Sequence, residues 1–327
     1  MRKIFLFLIS FLIGVSLFVW ILKFVGWQKI ESAFLVFTGW QGVIILIITL
    51  LVRLFATLKW KEILKSGGTD ITLSDLFKYY LVGFSTTYLF PMVFLSGEFL
   101  QGYILKRKHF LPFSKGMASA IIDQILDWTT NLATIFFGVV FFLLKIGFLT
   151  KKFAIYFFST FLFCLIAISF FYFMVFKKKS FANLFLKFLN YETKNAESLE
   201  IEKEFFNFFK IKNFYFWKAL LLAFFEEAIF LLRIWLLVSF LGGTVGFLSI
   251  LSILGFSYLA MMIPIPAALG IHEGFQAFSF NALGLGAGLG TAFALIIRGA
   301  DLIVAFVGMI ILFKLGSELL VGELFKK

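Results

Sequence analysis

Long apolar runs, without the alternation of polar positions that a half-buried strand needs, dominate the chain. Six reach the roughly 20 residues a helix needs to cross a hydrocarbon core: 4–25, 33–52, 117–144, 153–176, 216–240 and 289–313. Two more apolar stretches, 76–95 and 247–263, run into proline, at Pro91 and at the pair Pro264 and Pro266. Proline removes a backbone donor and disfavours helix in the residue before it, so both stretches are predicted to break there and to re-enter, not cross. In lipid every backbone N–H and C=O must be satisfied within the protein, and runs of Phe, Leu and Ile without period two fit helices, not barrel strands. The pattern predicts an all-α, polytopic membrane helix bundle. It has about six full spans plus two re-entrant helical hairpins, near 74–110 and 247–287, in one integral membrane domain over 1–327.

Composition sharpens this. Hydrophobic residues make up 61% of the 327 positions, charged residues 15%, and the mean hydropathy is +1.01. Soluble domains sit nearer ~45–50% apolar, which leaves no room here for a soluble catalytic domain. The apolar run after Arg2 and Lys3 exceeds the roughly 7–15 residues of a signal-peptide core and no small-x-small site follows, so it reads as an uncleaved first span. A single cysteine, Cys164, sits in an apolar run, which excludes a disulfide framework and a thiolate metal site. His109 and His272 are the only histidines, and no metal or other cofactor is expected. The glycine alternation from Gly284 to Gly290 lacks a preceding strand, so it reads as a linker or a close helix contact and not a nucleotide loop.

The net charge of +12 falls in particular inter-helix segments, which points to orientation in a membrane and away from nucleic acid. If both broken stretches crossed, the lysine-rich loop beginning at Lys177 would face outward while Arg2 and Lys3 face inward. If both re-enter, these groups share the cytoplasmic side with Arg53, Lys59, Lys61 and Lys65, with Lys106, Arg107, Lys108 and Lys115, and with Lys314, Lys326 and Lys327. The expectation is a multi-pass protein of the plasma (inner) membrane with both termini cytoplasmic. The first hairpin enters from the cytoplasm and the second from outside. Within the loop 177–215, Phe181, Leu184, Phe185, Phe188 and Leu189 recur at helical spacing, as in a helix lying flat at the head groups.

The two hairpins also share a motif. Pro91, Glu98 and Gln101 have the same spacing as Pro266, Glu273 and Gln276, and Asp123 follows Glu98 at the interval by which Arg298 follows Glu273. Hairpins of opposite entry carrying one motif form the pattern of an inverted-topology repeat, whose broken helices meet near the midplane and build a transport site. Ionisable residues inside apolar runs are costly and face the bundle interior or a wet cavity. They are Glu98, Asp123, Asp127, Glu226, Glu227, Arg233, Glu273, Arg298 and Asp301, with His272 as a cap or packing residue. Asp123, Asp127 and Asn131 form a polar stripe on one helix face, Glu226 and Arg233 share a face, and Arg298 and Asp301 can pair within one helix. Helix pinning by hydrogen bonds and ion pairs accounts for some of these groups. Seven carboxyls against two arginines leave several that must be protonated, hydrated or paired with something outside the chain.

The stretch from Leu89 through Pro91 to Gly97 and Glu98, then Pro112, Asp123 and Asp127, then Ile263 to Glu273 and Arg298, resembles the lysylphosphatidylglycerol synthase transmembrane-region family, a flippase-like domain. The resemblance covers nearly the whole chain. It implies a membrane part that moves aminoacylated phospholipid between leaflets, and the expectation is that part without the soluble domain that attaches the amino acid in two-domain members. Gln101 and Gln124 stand where the family pattern carries arginine, and Ala267 and Ala268 where it carries two glycines, which weakens the case for a strongly anionic head group at the first hairpin.

Three functions follow as expectations. The first is a translocator of a phospholipid, isoprenoid lipid or other amphiphile, with Glu98, Gln101, Asp123, Asp127, Glu273, Gln276, Arg298, Asp301, Arg233 and Glu226 lining the path. The second is an intramembrane lipid-modifying enzyme with Glu98 or Glu273 as general base. The third is a non-catalytic partner in envelope lipid metabolism. Membrane lipid is the expected partner in each, and homo-oligomerisation stays open.

Overall fold

The computed structural model describes residues 39–91, 96–147, 196–263, 265 and 268–324, and within them only helices and their connections. The spans expected at 4–25 and 153–176 and the flat helix expected around 181–189 lie outside the described residues. The helices are α1 (Trp40–Ser66), α2 (Leu73–Leu89), α3 (Ser96–His109), α4 (Phe113–Ile146), α5 (Ala196–Phe208), α6 (Phe214–Phe240), α7 (Phe247–Met261), α8 (Ile271–Ala282) and α9 (Ala287–Leu324). Among the described residues, three stretches are long and apolar enough to cross a membrane: Trp40–Ser66, Phe113–Ile146 and Ala287–Glu318. Helix α6 matches α1 in length, at 27 residues, but carries Lys218, Glu226, Glu227 and Arg233. Trp217, Phe224 and Phe313 are more than half exposed, a surface for lipid and not for water.

Local chemistry sets the breaks. Thr72 accepts the Asp75 N–H at the start of α2, which ends two residues before Pro91. Helix α4 starts after Pro112 and stops at Gly147, whose φ of 66° is the left-handed cap that glycine adopts without strain. Asn213 accepts the Tyr215 N–H to start α6. Both proline-stopped stretches are thus pairs of short helices, α2 with α3 and α7 with α8, each pair packed together.

One expectation is corrected by α1. The apolar run 33–52 does not end the helix, which continues to Ser66 and takes Arg53 and Lys59 into the bundle, where they are buried. Neither belongs to a cytoplasmic loop. The apolar positions Val52, Ala56, Trp60 and Leu64 carry the core stripe past both charges, at a spacing of four.

The packing has a twofold pattern. Helix α1 lies along α6; α2 packs on α9 as α7 packs on α4; and α3 packs on α4 as α8 packs on α9. The first helix of each hairpin therefore leans on the long helix of the other half. Small residues make these crossings possible. Gly308 on α9 sits against Leu81 and Ser85 of α2, and Gly138 on α4 against Leu251 and Gly255 of α7, with no space for a β-carbon at either glycine. At the equivalent crossings within each half, Gly102 meets Gly116, and Gly290 meets the Gln276 carbonyl. The last of these resolves the glycine alternation as a close helix contact, following a turn in which Gly284 and Gly286 have positive φ.

Candidate functional site

A cavity of about 180 Å3 opens between the first hairpin and helices α1, α4, α6 and α7. Glu98 and Gln101 reach it from α3, Asp123, Gln124, Asp127 and Asn131 from α4, Glu226 and Glu227 from α6, Arg53 from α1, and Tyr80 and Tyr258 from α2 and α7. That is room for several waters or one compact polar group. The stripe read from helical spacing at Asp123, Asp127 and Asn131 does face one space.

Lys59 organises the acidic wall. Its ammonium, 0% exposed, lies 3.0 Å from Glu226 Oε2, 3.5 Å from Asp123 Oδ1 and in direct contact with Asp127. Beside this cluster, Tyr258 donates to Glu227 Oε2 at 2.9 Å. The Asn131 amide, oriented to satisfy both its ends, donates to Glu227 Oε1 at 3.1 Å. The Gln124 amide similarly donates to Glu98 Oε1 at 3.2 Å and accepts from Trp128 Nε1 at 2.7 Å. Glu98 Oε2 is buried and has no hydrogen-bond partner among the described residues.

A second network joins the first through Arg53. Asp301 on α9 accepts from Arg53 Nη2 at 3.2 Å and from Arg233 Nη1 at 3.1 Å, and Arg233 also donates to Thr49 Oγ1. The Arg53 guanidinium stacks on the Phe84 ring, 3.8 Å from its centroid. The expected pairs within one helix are replaced by pairs between helices, because Arg298 turns to Glu273 and leaves Asp301 to the two other arginines.

The second hairpin is closed by comparison. Glu273, 0% exposed, pairs with Arg298 through one oxygen and takes the Gly270 N–H at 2.9 Å with the other, capping α8. Gln276 donates to the Ile253 carbonyl at 3.1 Å and to Ser257 Oγ at 2.8 Å, and accepts from Ser279. His272 is buried beside them, its Nδ1 without a hydrogen-bond partner among the described residues. The residues singled out from sequence therefore separate. Glu98, Gln101, Asp123, Asp127 and Glu226 share the cavity, while Glu273, Gln276, Arg298, Asp301 and Arg233 fall outside its lining.

Sequence reasoning missed Arg53 and Lys59, which are buried like Arg233 and Arg298. Their signal was the core stripe continuing beyond them to Trp60 and Leu64. Among the described residues no group of three or more His, Cys, Asp or Glu side chains has the arrangement of a metal site.

The fold and this polar interior can be set beside known proteins. No solved structure matches the chain. A UPF0104 membrane protein of Methanocaldococcus jannaschii is 23% identical over 303 residues, covering 90% of this chain and 88% of that protein. The profile of the lysylphosphatidylglycerol synthase TM region matches residues 7–308, including every helix that borders the cavity, and the chain belongs to that family of multi-pass membrane proteins.

Proposed function

We propose that the protein is a lipid translocator in which the cavity receives the polar head group of a phospholipid or isoprenoid lipid while the acyl or prenyl tails stay in the bilayer. The observation that carries this reading is the cavity itself: carboxyls from α3, α4 and α6 converge on one space inside an otherwise apolar bundle. Ionisable groups so placed mark paths for polar cargo. Membership in a family named for the membrane region of a lipid synthase supports a lipid-related role. The twofold packing supports an inverted repeat with the hairpins entering from opposite faces, and the placement of lysine and arginine in the sequence favours both termini cytoplasmic in the plasma (inner) membrane. The enzyme reading loses one of its two candidate bases, since Glu273 is occupied by Arg298 and the Gly270 N–H and is 0% exposed, and it then rests on Glu98 alone.

The test is reconstitution in liposomes with head-group-labelled phospholipids and a labelled isoprenoid lipid, following loss of label asymmetry. Folded protein should accelerate equilibration of at least one lipid, and unchanged leaflet distribution across the whole panel would sink the reading.

A further inference from the structure

Among the described residues, the charges around the cavity do not balance. Five carboxyls line it, from Glu98, Asp123, Asp127, Glu226 and Glu227. Against them stand Lys59, and the one positive charge by which Arg53 and Arg233 together exceed Asp301. The pair of Glu273 and Arg298 is neutral and contributes nothing. A buried carboxylate cluster in this condition is neutralised by protons or by a cation, because uncompensated charge is not held inside a bundle.

Glu98 is the member with least support. Asp123, Asp127 and Glu226 share Lys59, and Glu227 has Tyr258 and Asn131. Among the described residues, Glu98 takes the neutral Gln124 amide on one oxygen and has no charged partner, while its other oxygen, at a residue 7% exposed, has no hydrogen-bond partner. The groups around it come from every neighbouring element. Helix α2 brings Tyr80 and Thr87, and α4 brings Asp123, Gln124 and Asp127. Helix α1 brings Arg53 and, behind the acidic wall, Lys59; α6 brings Glu226 and Glu227, and α7 brings Tyr258. Both cations are engaged, Lys59 by three carboxyls and Arg53 by Asp301 and the Phe84 ring, so the side of the cavity left to a ligand is acidic. Glu98 also lies in the first turn of α3, where the positive end of the helix dipole favours a carboxylate once its proton has gone.

We propose that the cavity is a proton-for-cation exchange site, in which Glu98 surrenders its proton as the ammonium group of an amphiphile pairs with it. The O–H bond of the carboxylic acid breaks, the proton leaves to water, and the carboxylate takes the ammonium as its counter-ion; release of the ammonium reverses each step. The cargo assignment rests on the translocator reading, but the exchange is measurable without transport.

The probe is dodecyltrimethylammonium, whose fixed charge carries no proton, so any proton released on binding comes from the protein. Full-length protein in uncharged detergent and weak buffer near neutral pH is titrated while a pH dye reports protons and calorimetry reports binding, with an empty-micelle titration subtracted. Wild type should release a proton for each probe bound. Glu98→Gln should bind at least about tenfold more weakly and release none, while Glu98→Asp should retain release. Binding without release by wild type, absence of binding by folded wild type, or undiminished release from Glu98→Gln overturns the proposal. If Glu98→Gln does not fold, infrared difference spectra of wild type decide. Probe addition should remove a protonated-carboxyl C=O band and add carboxylate bands, and spectra without that exchange overturn the proposal. Lipid translocation in liposomes without proton release defeats the exchange alone, whereas proton release without any translocation defeats the translocator alone.

Discussion

Lys59 of α1 and Glu226 of α6 face each other at 3.0 Å along the helix pair that joins the two halves of the bundle. The same ammonium holds Asp123 and Asp127 of α4, so one side chain ties three helices at the edge of the cavity. Removing a single partner from such a cluster leaves buried charge uncompensated, which costs about 3–5 kcal/mol. Lys59→Met should therefore lower the melting temperature in detergent markedly, and adding Glu226→Gln should recover part of the loss. A double variant as unstable as the sum of both single changes would show that the ion pair contributes nothing.

The joint between networks behaves in the opposite charge sense. Asp301 is the carboxylate between Arg53 and Arg233, and it is 1% exposed. Asp301→Asn leaves two buried guanidiniums facing each other without a counter-ion, again a cost of about 3–5 kcal/mol. Arg233→Met in the same chain should restore much of that, because the neutral amide then faces only one guanidinium. Thermal melts of the three variants settle the sign of the coupling.

How much of this was legible in the sequence depends on range. Helical spacing along one element is a local property, and the stripe of Asp123, Asp127 and Asn131 was legible because all three sit on α4. The proline breaks were legible for the same reason, since Pro91 acts on its own segment. Arg53 and Lys59 were not, because an apolar run followed by basic residues has the form of a helix end at a membrane surface. What keeps α1 going is neutralisation by Asp123, Asp127 and Glu226 from distant segments and by Asp301 from the far end of the chain. The matched motif of the two hairpins pointed to one site built by both, yet Glu98 lines the cavity and Glu273 does not, and the residue one interval further on differs. Asp123 follows Glu98 and joins an acidic wall, whereas Arg298 follows Glu273 and closes it.

Close helix crossings give a prediction about packing. Gly308 has Leu81 and Ser85 of α2 where a β-carbon would go, while Gly316, two turns further along α9, has open space. Gly308→Val should force α2 and α9 apart, an overpacking cost of about 1–3 kcal/mol or more, with loss of the monodisperse species in size-exclusion chromatography. Gly316→Ala should be neutral or stabilising by up to about 1 kcal/mol through helix propensity. Equal effects of the two changes would contradict the crossing.

The difference between the hairpins makes the sharpest prediction. Glu98 and Glu273 occupy the same place in their motifs, so a purely sequence-based view assigns them one role. Their surroundings assign two. Glu273 has both oxygens engaged, by Arg298 and by the Gly270 N–H that starts α8, and replacing it with glutamine leaves Arg298 buried without its counter-charge. Glu273→Gln is therefore expected to act on the fold, costing the stability of a broken buried pair, about 3–5 kcal/mol, seen as a lower melting temperature, and to lose transport only as folded protein is lost. Glu98→Gln removes a carboxyl that has no cation of its own among the described residues and keeps the Gln124 contact available, so the melting temperature should hold or rise while lipid equilibration in liposomes falls. Reading both quantities on both variants separates the roles: if Glu98→Gln destabilises as much as Glu273→Gln, or equilibrates lipid at the wild-type rate, the open carboxyl has no part in moving cargo.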